Sequence, residues 1–128
     1  MTLGFSELQI GDEVELKGPI GHFTWLGEVG LVCAGSGITP ILQVLRGVFE
    51  DEDDTSTKVW VIDVNRFAED ILCKDELDAW AKKHPSRLHL RYSLTWKPVP
   101  GGWSHSVGRM NDDMMKRYLP PPSDEGIV

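Results

Sequence analysis

The residues best placed to do chemistry are Gly35-Ser36-Gly37-Ile38-Thr39-Pro40, between an apolar run and an amphipathic stretch. Glycines let the backbone approach a bulky anion and permit positive φ. A helix starting immediately afterwards offers unpaired N–H groups and a partial positive charge. A dinucleotide pyrophosphate is the natural guest, held by Gly35, Ser36, Gly37, Thr39 and Pro40. The pattern is G-x-G-x-x-P, not the common G-x-G-x-x-G, so on pattern alone a glycine turn without a ligand stays open. A second group is Asp63, Asn65 and Arg66, with Glu69 and Asp70 just after. An acidic side chain here can accept from an adenine ribose, and an arginine can hold a 2′-phosphate. Glu69 and Asp70 would equally favour the first turn of a helix. Arg66 stands evenly between nucleotide contact and solvated surface. The histidines His22, His84, His89 and His105 have no zinc-type spacing. His84, before Pro85 at a helix end, stands where a cation is favourable. No catalytic residue and no metal site is assigned. Trp60 and Trp80 fit buried patterns. Trp96 and Trp103 flank the Lys97–Gly102 loop, where they either cover a cofactor or pin the loop, and pinning is the favoured role.

These groups need elements to position them. Leu31-Val32-Cys33-Ala34 is a continuous apolar run, the signature of a strand buried on both faces. Thr39 is expected to cap the helix that follows, with Pro40 at its first position. Ile41, Val44, Leu45, Val48 and Phe49 recur with helical spacing. Val59-Trp60-Val61-Ile62 predicts a second buried strand. Glu69–Lys83 predicts a helix with Cys73, Leu77, Trp80 and Ala81 on one stripe, ended by Pro85. Leu88, Leu90, Tyr92 and Leu94 alternate with His89, Arg91 and Ser93, a third strand. Asn111–Leu119 predicts a short helix capped by Asn111 or Asp112. Val14 and Leu16 alternate with Glu13, Glu15 and Lys17 as a half-buried strand, Gly21–Gly30 is expected to be a linker, and Gly126-Ile127-Val128 resembles the start of another strand. Strand–helix alternation from residue 31 onward implies an α/β fold, a Rossmann-like parallel sheet with flanking helices. Ligands bind beyond the carboxyl ends of such strands, here Gly35–Pro40, Asp63–Asp70 and Thr95–Arg109.

Composition narrows the function. The chain has 128 residues, 41% hydrophobic and 26% charged, with formal net charge −7. That suits one modest folded domain. An acidic balance argues against nucleic acid and anionic lipid as partners. No apolar run reaches the roughly 20 residues of a membrane helix, and no secretory signal is visible. Cys33 and Cys73 are both expected to be core thiols, in keeping with a reducing cytoplasm. The acidic run Glu50–Asp54 is expected to solvate a loop.

Taken in order, Gly18-Pro19-Ile20-Gly21, Ala34-Gly35-Ser36-Gly37-Ile38-Thr39-Pro40-Ile41, Glu69-Asp70-Ile71-Leu72, Gly108-Arg109 and Leu119-Pro120-Pro121-Pro122 resemble the flavin and nicotinamide region of the ferredoxin–NADP reductase superfamily. Within it the chain is most similar to NADH-cytochrome b5 reductase and eukaryotic, particularly fungal, assimilatory nitrate reductase. The resemblance implies that residues 27–128 form an NAD(P)H-binding α/β domain lacking its last strand motif and helix. It implies that residues 1–26 are a C-terminal remnant of an FAD-binding β-barrel, with Thr2 near the flavin pyrophosphate and Met1 internal to a longer protein. The family's Cys-Gly-Pro-Pro motif does not occur before Val128. Electrons would pass from NADH or NADPH to FAD and on to a b5-type haem domain, with the flavin domain of a longer chain as partner. The isolated chain is expected not to catalyse this alone. The alternative is a non-catalytic truncated chain acting by association with a flavin domain or full-length partner. Asp70 points to NADH, Arg66 to NADPH, and the choice stays open.

Overall fold

The computed structural model describes residues 8–13, 15 and 27–122. Strand β1 is Glu28–Ala34, helix α1 Ile38–Phe49, β2 Lys58–Asn65, α2 Lys74–Lys83, β3 Leu88–Leu94, β4 Ser106–Val107 and α3 Asp112–Tyr118. The strands form one parallel sheet in the order β1-β2-β3-β4. The helices α1 and α2 supply the crossovers that the parallel β1–β2 and β2–β3 pairs need, and the 95–105 loop serves for β3–β4. Ala34, Val64 and Ser93 stand at one level of the register, so three strands end on a common rim.

Successive strand residues face opposite sides. On one side Cys33, Val59, Val61, Leu88, Tyr92 and Leu94 join Ile41, Leu45, Val48 and Phe49 of α1 and Leu77 of α2 in the buried core. Each such side chain contributes about 2 kcal/mol by leaving water. The alternate side carries Gly30, Val32, Trp60, Ile62, His89 and Arg91. Here Tyr118 at the end of α3 lies 4.4 Å under the Arg91 guanidinium, and the chain after α3 brings Leu119 and Pro120 over Gly30. A Cβ at Gly30 would stand 3.2 Å from Pro120 Cδ. Trp60 and His89 stack at 4.8 Å.

Several expectations change. β1 begins at Glu28, inside the expected linker, because it pairs with β2 over its whole length. It is not buried on both faces. Leu31 and Cys33 face α1, while Val32 is 47% exposed, since α3 packs on the second side against β2, with its Tyr118 under Arg91 of β3, rather than over β1. Thr39 and Pro40 are the second and third residues of α1, and Gly37 holds the cap position without a side-chain bond. Proline is tolerated there because first-turn N–H groups have no partner within the helix. The helix expected from Glu69 is broken. Ala68–Asp70 is a single 3₁₀ turn, Cys73 takes a left-handed φ of 53°, and α2 starts only at Lys74. Cys73 is exposed and not a core thiol. β3 has the expected bounds. Asn111 caps α3, its Oδ1 accepting from Met114 N at 3.0 Å.

The acidic run does more than solvate a loop. Asp54 accepts from Thr57 N at 2.9 Å and from the Arg87 guanidinium at 3.2 Å. Arg87 also donates to Thr57 O at 2.8 Å and lies over Phe49. The pair joins the start of β2, the approach to β3 and the end of α1. Burial acts to raise the Asp54 pKa, but hydrogen bonds from Thr57 and Ser56 and the charge of Arg87 prevail and hold it below the ordinary value. His84, stacked on Phe49 at 4.7 Å, is not a stabilised cation. Burial, then Lys83 and Arg87, push its pKa down.

Val14, Leu16, Gly18-Pro19, Thr2 and Gly126–Val128 lie outside the described residues. No helix among the described residues is long and apolar enough to cross a membrane.

Candidate functional site

The chain leaves β1 through Ala34, still extended at φ −144°, and turns sharply. Gly35 adopts φ +52° with nothing near where a Cβ would stand, so here the glycine meets a conformational demand. Gly37 differs. Its φ is −62°, and a Cβ would make ordinary contact with Cys33 Cβ at 3.5 Å. The Thr39 hydroxyl donates to Ser36 O at 2.9 Å and closes the turn onto the helix. Helix α1 starts directly behind it, with no acidic side chain in its first turn to oppose an anion.

A cleft of about 500 Å³ opens on the rim beside this turn. Gly35 and Ser36 form one wall, and Val64, Asn65, Arg66, Asp70 and Thr95 the other. Five expected residues therefore converge: Gly35, Ser36, Asn65, Arg66 and Asp70. Gly37, Thr39 and Pro40 stand behind the wall in the turn and first helical residues, not on it. Thr2 lies outside the described residues. Thr95 opens the third expected strand end, Thr95–Arg109, but was not singled out as a contact residue because nothing in its own pattern distinguishes it. Its N–H donates to Asn65 O at 2.9 Å, which carries the chain from β3 across the end of β2.

Asn65 is 6% exposed, and its Nδ2 has no protein partner. Buried donors are normally paired, so this amide has bonding capacity left at the cleft. Asp70 Oδ2 accepts from Phe67 N at 3.1 Å, which holds the 3₁₀ turn and fixes the carboxylate at the mouth. Arg66 is exposed, with its guanidinium 5.9 Å from the Trp96 ring centroid. Cleft and turn thus offer backbone amides, one buried amide donor, one cation and one carboxylate, a set that suits a phosphate and a sugar.

Asp63, singled out in the sequence as a ribose acceptor, is not available. It is 1% exposed and faces the core, where the Cys33 thiol donates to Oδ1 at 3.3 Å. Burial raises the Asp63 pKa, with the Cys33 hydrogen bond and the nearby Asn65 amide dipole pulling the other way. Burial, reinforced by Asp63, drives the Cys33 pKa strongly upward.

A larger cleft of about 680 Å³ lies along β3, walled partly by Trp60, Asp78, Leu90, Arg91, His105 and Tyr118. No glycine turn or helix start faces it, and Arg91 is committed to Ser106 Oγ and Ser104 O. Among the described residues no group of three or more His, Cys, Asp or Glu could hold a metal.

Residues 31–128 match the family described as oxidoreductase NAD-binding domain. The whole chain is 33% identical to a nitrate reductase [NADH] of Hordeum vulgare, of which it spans 16%. It is 31% identical over its whole length to nitrate reductase [NADH] 1 of Zea mays, of which it spans 23%. The chain therefore spans under a quarter of either relative. Among solved structures, the cytochrome b5 reductase domain of Ulva prolifera nitrate reductase superposes with a TM-score of 0.81 at 29% identity, covering 97% of this chain and 50% of that one. The CS-b5R domains of human Ncb5or, in an NAD+ form, superpose at 0.74 with 27% identity, covering 98% of this chain and 36% of that one.

Proposed function

Because the chain belongs to the oxidoreductase NAD-binding domain family, we propose that it is the NADH-binding part of a nitrate reductase-like flavin oxidoreductase. The observation that carries this reading is the rim cleft, where the Gly35-Ser36 turn faces Asn65, Arg66 and Asp70. The diphosphate lies against the 35–37 turn and the start of α1, with Thr39 and Pro40 fixing that start. Ribose hydroxyls reach the unpaired Asn65 amide and the Asp70 carboxylate. Asp70 at the mouth disfavours a 2′-phosphate, which supports NADH over NADPH; the names of the plant relatives point the same way.

When bound, the nicotinamide supplies a hydride for a flavin. This chain's residues bind and orient: they fix the diphosphate, anchor the ribose and set the reach of the nicotinamide. The FAD belongs to a flavin domain of a longer protein, the next acceptor is a b5-type haem domain, and the setting is cytoplasmic. Thr2 is the one residue here assigned toward the flavin. The chain alone does not complete the reaction.

Calorimetric titration with NADH, NADPH and ADP-ribose tests the reading. Binding of NADH and ADP-ribose, weakened about tenfold or more by Ser36→Glu, is expected, since one charge-assisted contact is worth at least that factor. An acid beside a helix start does not harm stability, so the variant stays folded. No binding at millimolar ligand, or equal binding by the variant, would remove the site.

A further inference from the structure

The tryptophans of the β3–β4 connection have separate roles. Trp103 pins the loop: its Nε1–H donates to Ser106 O at 2.9 Å, and its ring packs against His105 and Tyr92. Trp96 pins nothing comparable. Its side chain is 57% exposed at the rim where the cleft opens. Yet its place is fixed. Its backbone N–H donates to Arg66 O at 3.2 Å, Phe67 meets its ring edge-on at 5.9 Å, and the Arg66 guanidinium lies over it. Its contact partner Arg66 and its chain neighbour Thr95 both line the cleft.

An indole held in place but left largely in water offers a flat apolar face to something planar. Its position indicates what. In sheets of this kind the adenine ribose lies at the end of the second strand. A base attached to that ribose reaches past β2 toward β3, about 10 Å from β1 by two strand spacings. Trp96 stands at that point of the rim. From this juxtaposition we infer that Trp96 is the stacking platform for the adenine of the dinucleotide, with Arg66 and Phe67 holding the indole in place. The inference rests on the nucleotide reading above and names the purine half as the part of the ligand that this residue selects.

Stacking on an aromatic is worth about tenfold in affinity per base. Trp96→Ala is expected to weaken ADP-ribose, 5′-AMP and NADH by roughly that factor and to leave nicotinamide mononucleotide unchanged. Trp96→Phe is expected to restore most of the affinity. Quenching of tryptophan emission by ADP-ribose is expected to shrink in Trp96→Phe. Because the ring is mostly exposed, the variants fold, and their melting temperatures verify it. If the unaltered chain binds ADP-ribose and Trp96→Ala binds it equally well, this inference falls and the nucleotide site stands. If the unaltered chain binds no adenine nucleotide, both fall.

Discussion

The Cys33 thiol donates to Asp63 Oδ1 at 3.3 Å from the neighbouring strand, inside the sheet and just beneath the glycine turn. Asp63 Oδ2 has no protein partner. Its raised pKa favours folding while the group is protonated, and that contribution is lost as pH rises from the ordinary 3.8 through the folded-state value. Asp63→Asn keeps the shape and removes the charge. Its melting temperature is expected to exceed that of the unaltered chain at neutral pH, with the gap closing below the ordinary carboxylate value. A lower melting temperature at neutral pH would contradict this.

Asp54 has the opposite sign. Its lowered pKa stabilises the fold above 3.8 and is lost as pH falls through the folded-state value. Asp54→Asn removes the ion pair with Arg87 and weakens the turn bonds to Thr57 and Ser56. A loss of about 2 kcal/mol at neutral pH is expected in denaturant melts, vanishing toward acid.

Cysteine reactivity separates the two thiols. Cys33 is buried with its pKa driven strongly upward, whereas Cys73 is exposed. A disulfide-exchange reagent should titrate one thiol per native chain and two after unfolding, and Cys73→Ser should abolish the native signal.

The two glycines of the turn should respond differently. Gly35→Ala forces a side chain into φ +52°, at about 1 kcal/mol of stability. Gly37→Ala keeps a helical φ with ordinary contact to Cys33 and should barely move the melting temperature.

Core and cap variants calibrate the rest. Leu45→Ala, at a wholly buried site in α1, is expected to cost about 3 kcal/mol. Asn111→Ala removes the α3 cap and is expected to cost about 1 kcal/mol.

Strong periodicity was readable. Leu88–Leu94 alternates cleanly and forms β3 with those bounds, and four of the five apolar positions of α1 are buried while Val44 packs partly buried against the same core. Of the candidate site, the glycine turn and the Asn65–Arg66–Asp70 group stood out because they directly follow buried apolar runs, where ligands meet such sheets. What escaped depends on neighbours distant in sequence. Glu69 and Asp70 look like first-turn acids, but Asp75 and Glu76 hold that place in α2, and Cys73 breaks the path between them. Ser106–Val107 is too short to show a period and becomes a strand only through Ser93 and Leu94. Asp63 looks like a rim acceptor until strand parity turns it inward, and Thr95, expected only as the start of a rim segment, is tied to the cleft wall by its bonds to Asn65.

Gly30 has a consequence for the route of the backbone. With Pro120 Cδ only 3.2 Å from where a methyl group would stand, the missing side chain is a shallow notch against which the proline segment rests. An alanine there would press on Leu119 and Pro120 and displace them by a few tenths of an ångström. The bare backbone of the first strand thereby sets how closely the segment after α3 can lie on the sheet.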